Sequence, residues 1–326
     1  VQYFTIGSFT FQHNPSQDEE VLQSQDADMQ VLDGTWYKQP SGYERQITLT
    51  ATIWEPYTRF LTPFSVGNTS WSALTFDTTR NQLWAMTPSL TLLGTTANGT
   101  PLSSTSYTGP QSGSLVSLSA TPTGTVIVGW STGLVVEMNP VTGAILASGT
   151  AWESLGVAFA GFAGSDSSLF GLSTSGVLYS GTLTGGAVTT LAPPAPHSIA
   201  DFSNLTLDSA GYLWTTRTQL AQATCLSPWT GRIVASEELR DVGPFTWINS
   251  TIAMLYRPTV QLLQAVRINT TDRQIDLLRR TLMSGKVTLT DEIGVSRQVA
   301  VTGMQVASHP GYIRGYDVTI QVTETI

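Results

Sequence analysis

The sequence predicts an all-β protein: a split antiparallel β-sandwich formed by both termini, with an inserted β-propeller of about five blades. Three observations predict it. Between residues 71 and 282 one pattern of about forty-odd residues is written five times, each copy an apolar strand, a polar turn and a second strand. The marks Trp84, Val126, Phe170, Trp214 and Met254 set its register, with steps of 42, 44, 44 and 40 residues. Asn139-Pro140-Val141-Thr142-Gly143 and Ser227-Pro228-Trp229-Thr230-Gly231 lie 88 residues apart, two steps of 44. Finally, 12% charged and 41% hydrophobic residues suit neutral β-structure with many turns better than helices.

Residues 1–64 stand outside the repeat. Tyr3 to Phe11 alternates as a strand and His13-Asn14-Pro15 ends it. The acidic, Gln-rich stretch from Ser16 to Asp28 reads as a loop or a solvated edge. Asp33-Gly34 before Thr35-Trp36-Tyr37 is a hairpin signal. Arg45 to Trp54 is the clearest alternating strand, with Ile47, Leu49, Ala51 and Ile53 on one face. Tyr57 to Phe64, bounded by Pro56 and Pro63, reads as a linker. Within the repeat, Asp77 and Asp208 open inner hairpins, and Asn269-Thr270-Thr271-Asp272 falls where a repeat turn is due. Beyond Met283 come three strands: Lys286–Thr290, Gln298–Thr302 and Tyr316–Thr323. Neither terminal piece can bury a stable core alone. The expected domains are therefore 1–64 paired with 283–326, and 65–282 as the insertion, which chain ends lying close together make easy.

Composition excludes several function classes. A net charge of −8 with two lysines, Lys38 and Lys286, leaves no basic stripe for nucleic acid or for an anionic membrane. One cysteine, Cys225, permits no intrachain disulfide and reads as a small buried hydrophobe. No apolar run approaches a membrane span, and the first residues lack the basic and apolar regions of a signal peptide.

The terminal strands carry a resemblance. Ile6-Gly7-Ser8-Phe9-Thr10-Phe11-Gln12-His13-Asn14-Pro15, Val31-Leu32-Asp33-Gly34, Arg45 to Ala51 and the closing Gly315 to Glu324 resemble the distal-tail and baseplate-hub proteins of tailed bacteriophages. The resemblance implies a tail-tube-like sandwich in a virion and a non-enzymatic structural role. It also implies a homo-oligomeric ring of three- or six-fold symmetry, with other tail or baseplate proteins and a host surface glycan as partners. Ile47, Leu49, Ile53, Val318, Ile320 and Val322 are then the candidate ring-assembly residues. The rival expectation is an extracellular carbohydrate-binding propeller, and a third is a propeller glycosidase.

Site chemistry is sparse. Three histidines, His13, His197 and His309, each sit beside a proline or in a turn, and no cofactor or His/Cys metal cluster is expected. Paired carboxylates for glycoside hydrolysis would have to come from Asp77, Glu137, Glu153, Asp166, Asp201, Asp208, Glu237, Glu238 and Asp241, which fall at unequal places in the repeat. Trp71, Trp130, Trp152, Trp229 and Trp247 recur at turns and strand ends. Buried, they would fill the gaps between blades; exposed, Trp130 and Trp229 are the candidates for stacking on a sugar.

Overall fold

The computed structural model describes residues 3–11, 16–30, 36–55, 58–66, 69–165, 167–184, 188–191, 201–291, 293–310 and 314–325, with backbone alone for 16–30, 36–44 and 325. Two compact units divide it: Val1–Tyr57 with Thr270–Ile326, and Thr58–Asn269.

In the first unit both termini enter one antiparallel sheet of seven strands. Their order is Phe9–Thr10, Thr5–Ile6, Lys286–Thr290, Ser296–Ser308, Tyr316–Thr325, Trp36–Ile53 and Ser16–Gln30. The two strands singled out by alternation are direct neighbours, with Ile47 opposite Val322, Leu49 opposite Ile320 and Ala51 opposite Val318. Register and period together put every aliphatic of both strands on one face. That face is covered by a helix, Thr271–Leu282, through Ile275, Leu278 and Leu282. The expected sandwich is therefore corrected to a single sheet under a helix. The acidic stretch read as a loop or a solvated edge is the strand Ser16–Gln30, which stands at the edge of the sheet, paired along Trp36–Ile53. The proposed turn at Asp33-Gly34 lies outside the described residues.

Thr270 precedes the helix without capping it through its own side chain. The buried carboxylate of Glu55 takes that place. Its Oε2 accepts from Thr270 N (2.7 Å) and Thr270 Oγ1 (2.8 Å), and its Oε1 accepts from Gln274 Nε2 (2.5 Å). A negative group here satisfies orphan donors and opposes the positive end of the helix dipole.

In the first turn of the helix, Asp272 Oδ1 accepts from the Tyr316 hydroxyl at 2.6 Å. That bond, with burial and the nearby carboxylate charge, pushes the phenol up from 10.0 to about 12. The folded unit thus holds a proton that the unfolded chain has lost, so the contribution is complete below pH 10 and disappears as pH rises through 12. Tyr316→Phe should flatten the alkaline limb of stability, measured by urea unfolding between pH 8 and 12. Parallel losses in both proteins would refute the assignment.

The second unit is a β-propeller. Five four-stranded antiparallel sheets form among its described residues. Blade 1 holds Ala73–Asp77, Gln82–Met86, Thr91–Thr95 and Pro101–Ser106. Blade 2 holds Leu115–Ala120, Val126–Trp130, Val135–Met138 and Ile145–Gly149. Blade 3 holds Phe159–Gly164, Leu169–Ser173, Leu178–Gly181 and Thr189–Thr190. Blade 4 holds Phe202–Leu207, Leu213–Arg217, Gln222–Leu226 and Ile233–Glu238. Blade 5 takes Phe245–Trp247, Ile252–Arg257 and Leu262–Arg267 from its own segment, and its outer strand is Arg59–Ser65. The stretch read as a linker is thus the strand that closes the ring, and with it residues 58–64 fall in the propeller. Residues 270–282, expected in the propeller, form the helix of the other unit.

Closure follows from the first strands, each packed against the next around the circle, with blade 5 returning to blade 1. Small hydroxyl residues tie them. Thr75 Oγ1 accepts from Ala120 N, Ser117 Oγ from Phe162 N, Ser119 Oγ from Gly164 N, and Thr246 Oγ1 from Phe76 N, at 2.8 to 3.1 Å. Asn204 Nδ2 donates to Phe245 O at 2.8 Å. The second strands are buried on both faces and supply the apolar fill: Trp84, Val126, Val128, Leu213 and Trp214 are 0% exposed.

Candidate functional site

Successive antiparallel strands reverse direction, so in blades 1, 2 and 4 the turn between strands one and two lies at the same end as the turn between strands three and four. At that end the first-second turns of all five blades converge on a cavity of about 360 Å³. Blade 1 contributes Thr75, Phe76 and Thr78. Blade 2 contributes residues 119–122, and blade 3 Gly164, Ser165, Ser168 and Phe170. Blade 4 supplies residues 206–209 and blade 5 residues 246–249.

Nine of these side chains are serine or threonine, and four of the rest (Phe76, Phe170, Leu207 and Ile248) present apolar surface. Asp208 is the single ionisable group among the described lining residues. Its carboxylate is engaged in the turn: Oδ1 accepts from Ala210 N (2.8 Å) and Tyr212 N (3.0 Å), Oδ2 from Trp214 Nε1 (2.8 Å). Asp77 plays the same part in blade 1, accepting from Thr79 N, Arg80 N, an Arg80 guanidinium N–H and Trp84 Nε1. Burial alone would push the Asp77 carboxyl up; the hydrogen bonds from Arg80 and Trp84 outweigh it and hold it below 3.8. These aspartates are turn residues that lock a buried indole, as Asp at the head of a hairpin does.

The remaining carboxylates are dispersed. Asp201 binds Arg217 Nε at 2.8 Å in a buried pair, the guanidinium standing over the Phe202 ring. Glu137 accepts from Thr125 Oγ1, Glu237 from Thr58 Oγ1 and Asp241 from Thr259 Oγ1. Glu153 is half-buried in a short 3-10 turn, and Glu238 is exposed at a strand end. Asp166, His13 and His197 lie outside the described residues. Two carboxylates facing one another across the cavity are not found among those described.

The residues chosen for ring assembly (Ile47, Leu49, Ile53, Val318, Ile320 and Val322) are buried in their own unit's core, none more than 6% exposed. Trp130 is 2% exposed and packs against Tyr107 between blades 1 and 2, so it has no face to offer. Trp71, Trp152 and Trp247 are likewise buried, while Trp229 is 47% exposed. Cys225 is a buried thiol outside any disulfide. The cavity itself was invisible in the sequence, because its hydroxyl residues are common throughout the chain and only the turn positions distinguish them.

No protein-family model and no curated protein matches the chain. Among solved structures it is similar to glutaminyl cyclase from Myxococcus xanthus, with a TM-score of 0.52, 12% identity, and 65% of this chain and 98% of that one covered. Streptogramin B lyase (TM-score 0.38, 10% identity, 76% and 77% covered) and the calcium-binding regucalcin of Agrobacterium tumefaciens (0.41, 10%, 64% and 94%) also match. The first of these likenesses bears on the fold and corrects two expectations. The kinship with phage distal-tail and baseplate proteins falls, since the shared fold is a propeller and the terminal strands that suggested the kinship make one sheet under a helix instead of the expected sandwich. The virion, baseplate and host-attachment roles find no support in that likeness. The non-enzymatic assignment is overturned as well, because the fold this chain shares is one on which an enzyme is built.

Proposed function

We propose that the propeller binds a neutral carbohydrate in the cavity where its five first turns meet. The observation that carries this reading is the lining: hydroxyl side chains drawn from the blades, apolar surface between them, and one carboxylate already held by its own turn. Serine and threonine hydroxyls donate and accept, which matches the alternation of both functions on a sugar. The apolar side chains suit its C–H faces, and a cavity of about 360 Å³ is within the range of small-ligand sites. An anionic ligand would meet no cation among the described lining residues and would face Asp208. The test is calorimetric titration with neutral oligosaccharides, alongside Ser209→Trp, which places a large ring at an exposed lining position. Binding should vanish in the variant while its thermal midpoint stays within a few degrees. Chromatography of the titrated sugar shows whether it is also cleaved. Unchanged binding by Ser209→Trp, or no binding of any neutral glycan, would refute the reading.

A further inference from the structure

Blade 4 carries an aromatic platform beside the cavity. Its first-second turn brings Asp208 and Ser209 to the lining, and its third-fourth turn, at the same end of the blade, carries Trp229. Strands one and three of a sheet stand about 10 Å apart, two strand spacings. The indole is 47% exposed yet fixed: it meets the fully buried Tyr212 ring edge to face, centroids 5.2 Å apart. Its turn is closed by Gly231 N donating to Ser227 O and Ser227 N to Arg232 O, at 2.8 and 2.9 Å.

The turn itself does not require tryptophan. Blade 2 builds the same turn from Asn139 to Gly143, with Gly143 N donating to Asn139 O and Asn139 N to Ala144 O. Gly143 and Gly231 adopt the same left-handed conformation, φ +75° and +68°. The residue in the place of Trp229 there is Val141, also exposed. Trp229 covers Tyr212 with one side, yet about half of the ring faces solvent, on a turn whose hydrogen bonds form equally well around valine in blade 2.

Resting on the carbohydrate reading above, we propose that the ligand is a chain of at least three sugar units. One end occupies the cavity and the third unit stacks on Trp229. Successive pyranose rings bridge the separation between the two turns, and the indole face supplies the flat apolar surface that a sugar's C–H face meets. The platform thus selects for length, whereas the cavity selects for neutrality.

The experiment is calorimetric titration of the whole chain with β-1,4-linked glucose oligomers of one to five units, and with the α-1,4-linked series in parallel. In at least one series affinity should rise about tenfold between two units and three, then level off. Trp229→Val, the residue that blade 2 tolerates in this turn, should erase that step and leave the affinities of the shorter sugars unchanged. Ser209→Trp should abolish binding at every length. Affinity independent of length, or a length step that survives Trp229→Val, overturns the platform while leaving the cavity reading in place. Failure of every oligomer to bind overturns both.

Discussion

Gly149→Ala should lower the stability of the propeller by about 3 kcal/mol or more, read as a fall of about 6–12 °C in its thermal midpoint. A β-carbon at Gly149 would stand 1.7 Å from the carbonyl oxygen of Leu183, so backbone must move. Movement is resisted on both sides. Gly149 is paired with Val135 at the end of the outer strand of blade 2, and Leu183 is fully buried. The preceding carbonyl, of Thr182, accepts from the Trp152 indole at 3.0 Å. Gly161 is the inner counterpart: its β-carbon would lie 2.6 Å from Leu205 N and 2.7 Å from the Asn204 carbonyl carbon, between the first strands of blades 3 and 4. The two variants separate stability from function. Gly161→Ala pushes on the strand that ends in Thr206 and Leu207 at the cavity, so glycan affinity should fall with stability; Gly149→Ala should lose stability alone at temperatures where it remains folded. Gly211→Ala is the control. Its φ of +80° costs a side chain about 1 kcal/mol, but nothing lies within 4 Å of the added carbon. A thermal midpoint for Gly149→Ala no lower than that of Gly211→Ala would show that the blade interface yields.

The propeller was legible because its second strands are buried on both faces. Such strands are rich in apolar residues, and the marks Trp84, Val126, Phe170, Trp214 and Met254 all fall within them, although blade 4 also buries Thr215, Thr216 and Arg217. Outer strands such as Pro101–Ser106 and Thr189–Thr190 are exposed, so burial imposes no pattern on them and the repeat fades there. Ring closure by Arg59–Ser65 joins segments about two hundred residues apart, and no local pattern announces such a pairing. The helix was missed for a different reason. Ile275, Leu278 and Leu282 have helical spacing, but Asn269 to Asp272 stands where a repeat turn is due, and the period was followed past its end.

The site was less legible than the fold. Trp130 and Trp229 look alike in sequence, each an aromatic beside a turn. Parity separates them: in Val126–Trp130 alternate side chains face alternate blades, and Trp130 shares the side of Val126 and Val128 against blade 1. Trp229 sits in a turn, where strand parity does not apply. The cavity depends on five turns separated by some forty residues each, and convergence of that kind is a property of the closed ring alone.

Glu55→Ala should be the most damaging single change in the terminal unit, costing about 3 kcal/mol. Two backbone or side-chain donors on Thr270 and one on Gln274 would lose their acceptor in a buried site, where water cannot replace it in full. The helix would also lose the charge opposing its dipole. Amides of residues 275–282 should exchange about a hundredfold faster, with propeller amides as the internal reference. Glu55→Gln separates the two contributions: its amide oxygen can still accept from Thr270, but its NH₂ would face the NH₂ of Gln274, so it should recover part of the loss. The network matters beyond the helix because Glu55 and Thr270 are where the chain leaves this unit and returns, 215 residues later. Tying those two points absorbs the entropy of a very long excursion, a cost that grows only slowly with its length. An exchange rate in the helix unchanged by Glu55→Ala would mean that the apolar contacts of Ile275, Leu278 and Leu282 hold the helix without the carboxylate.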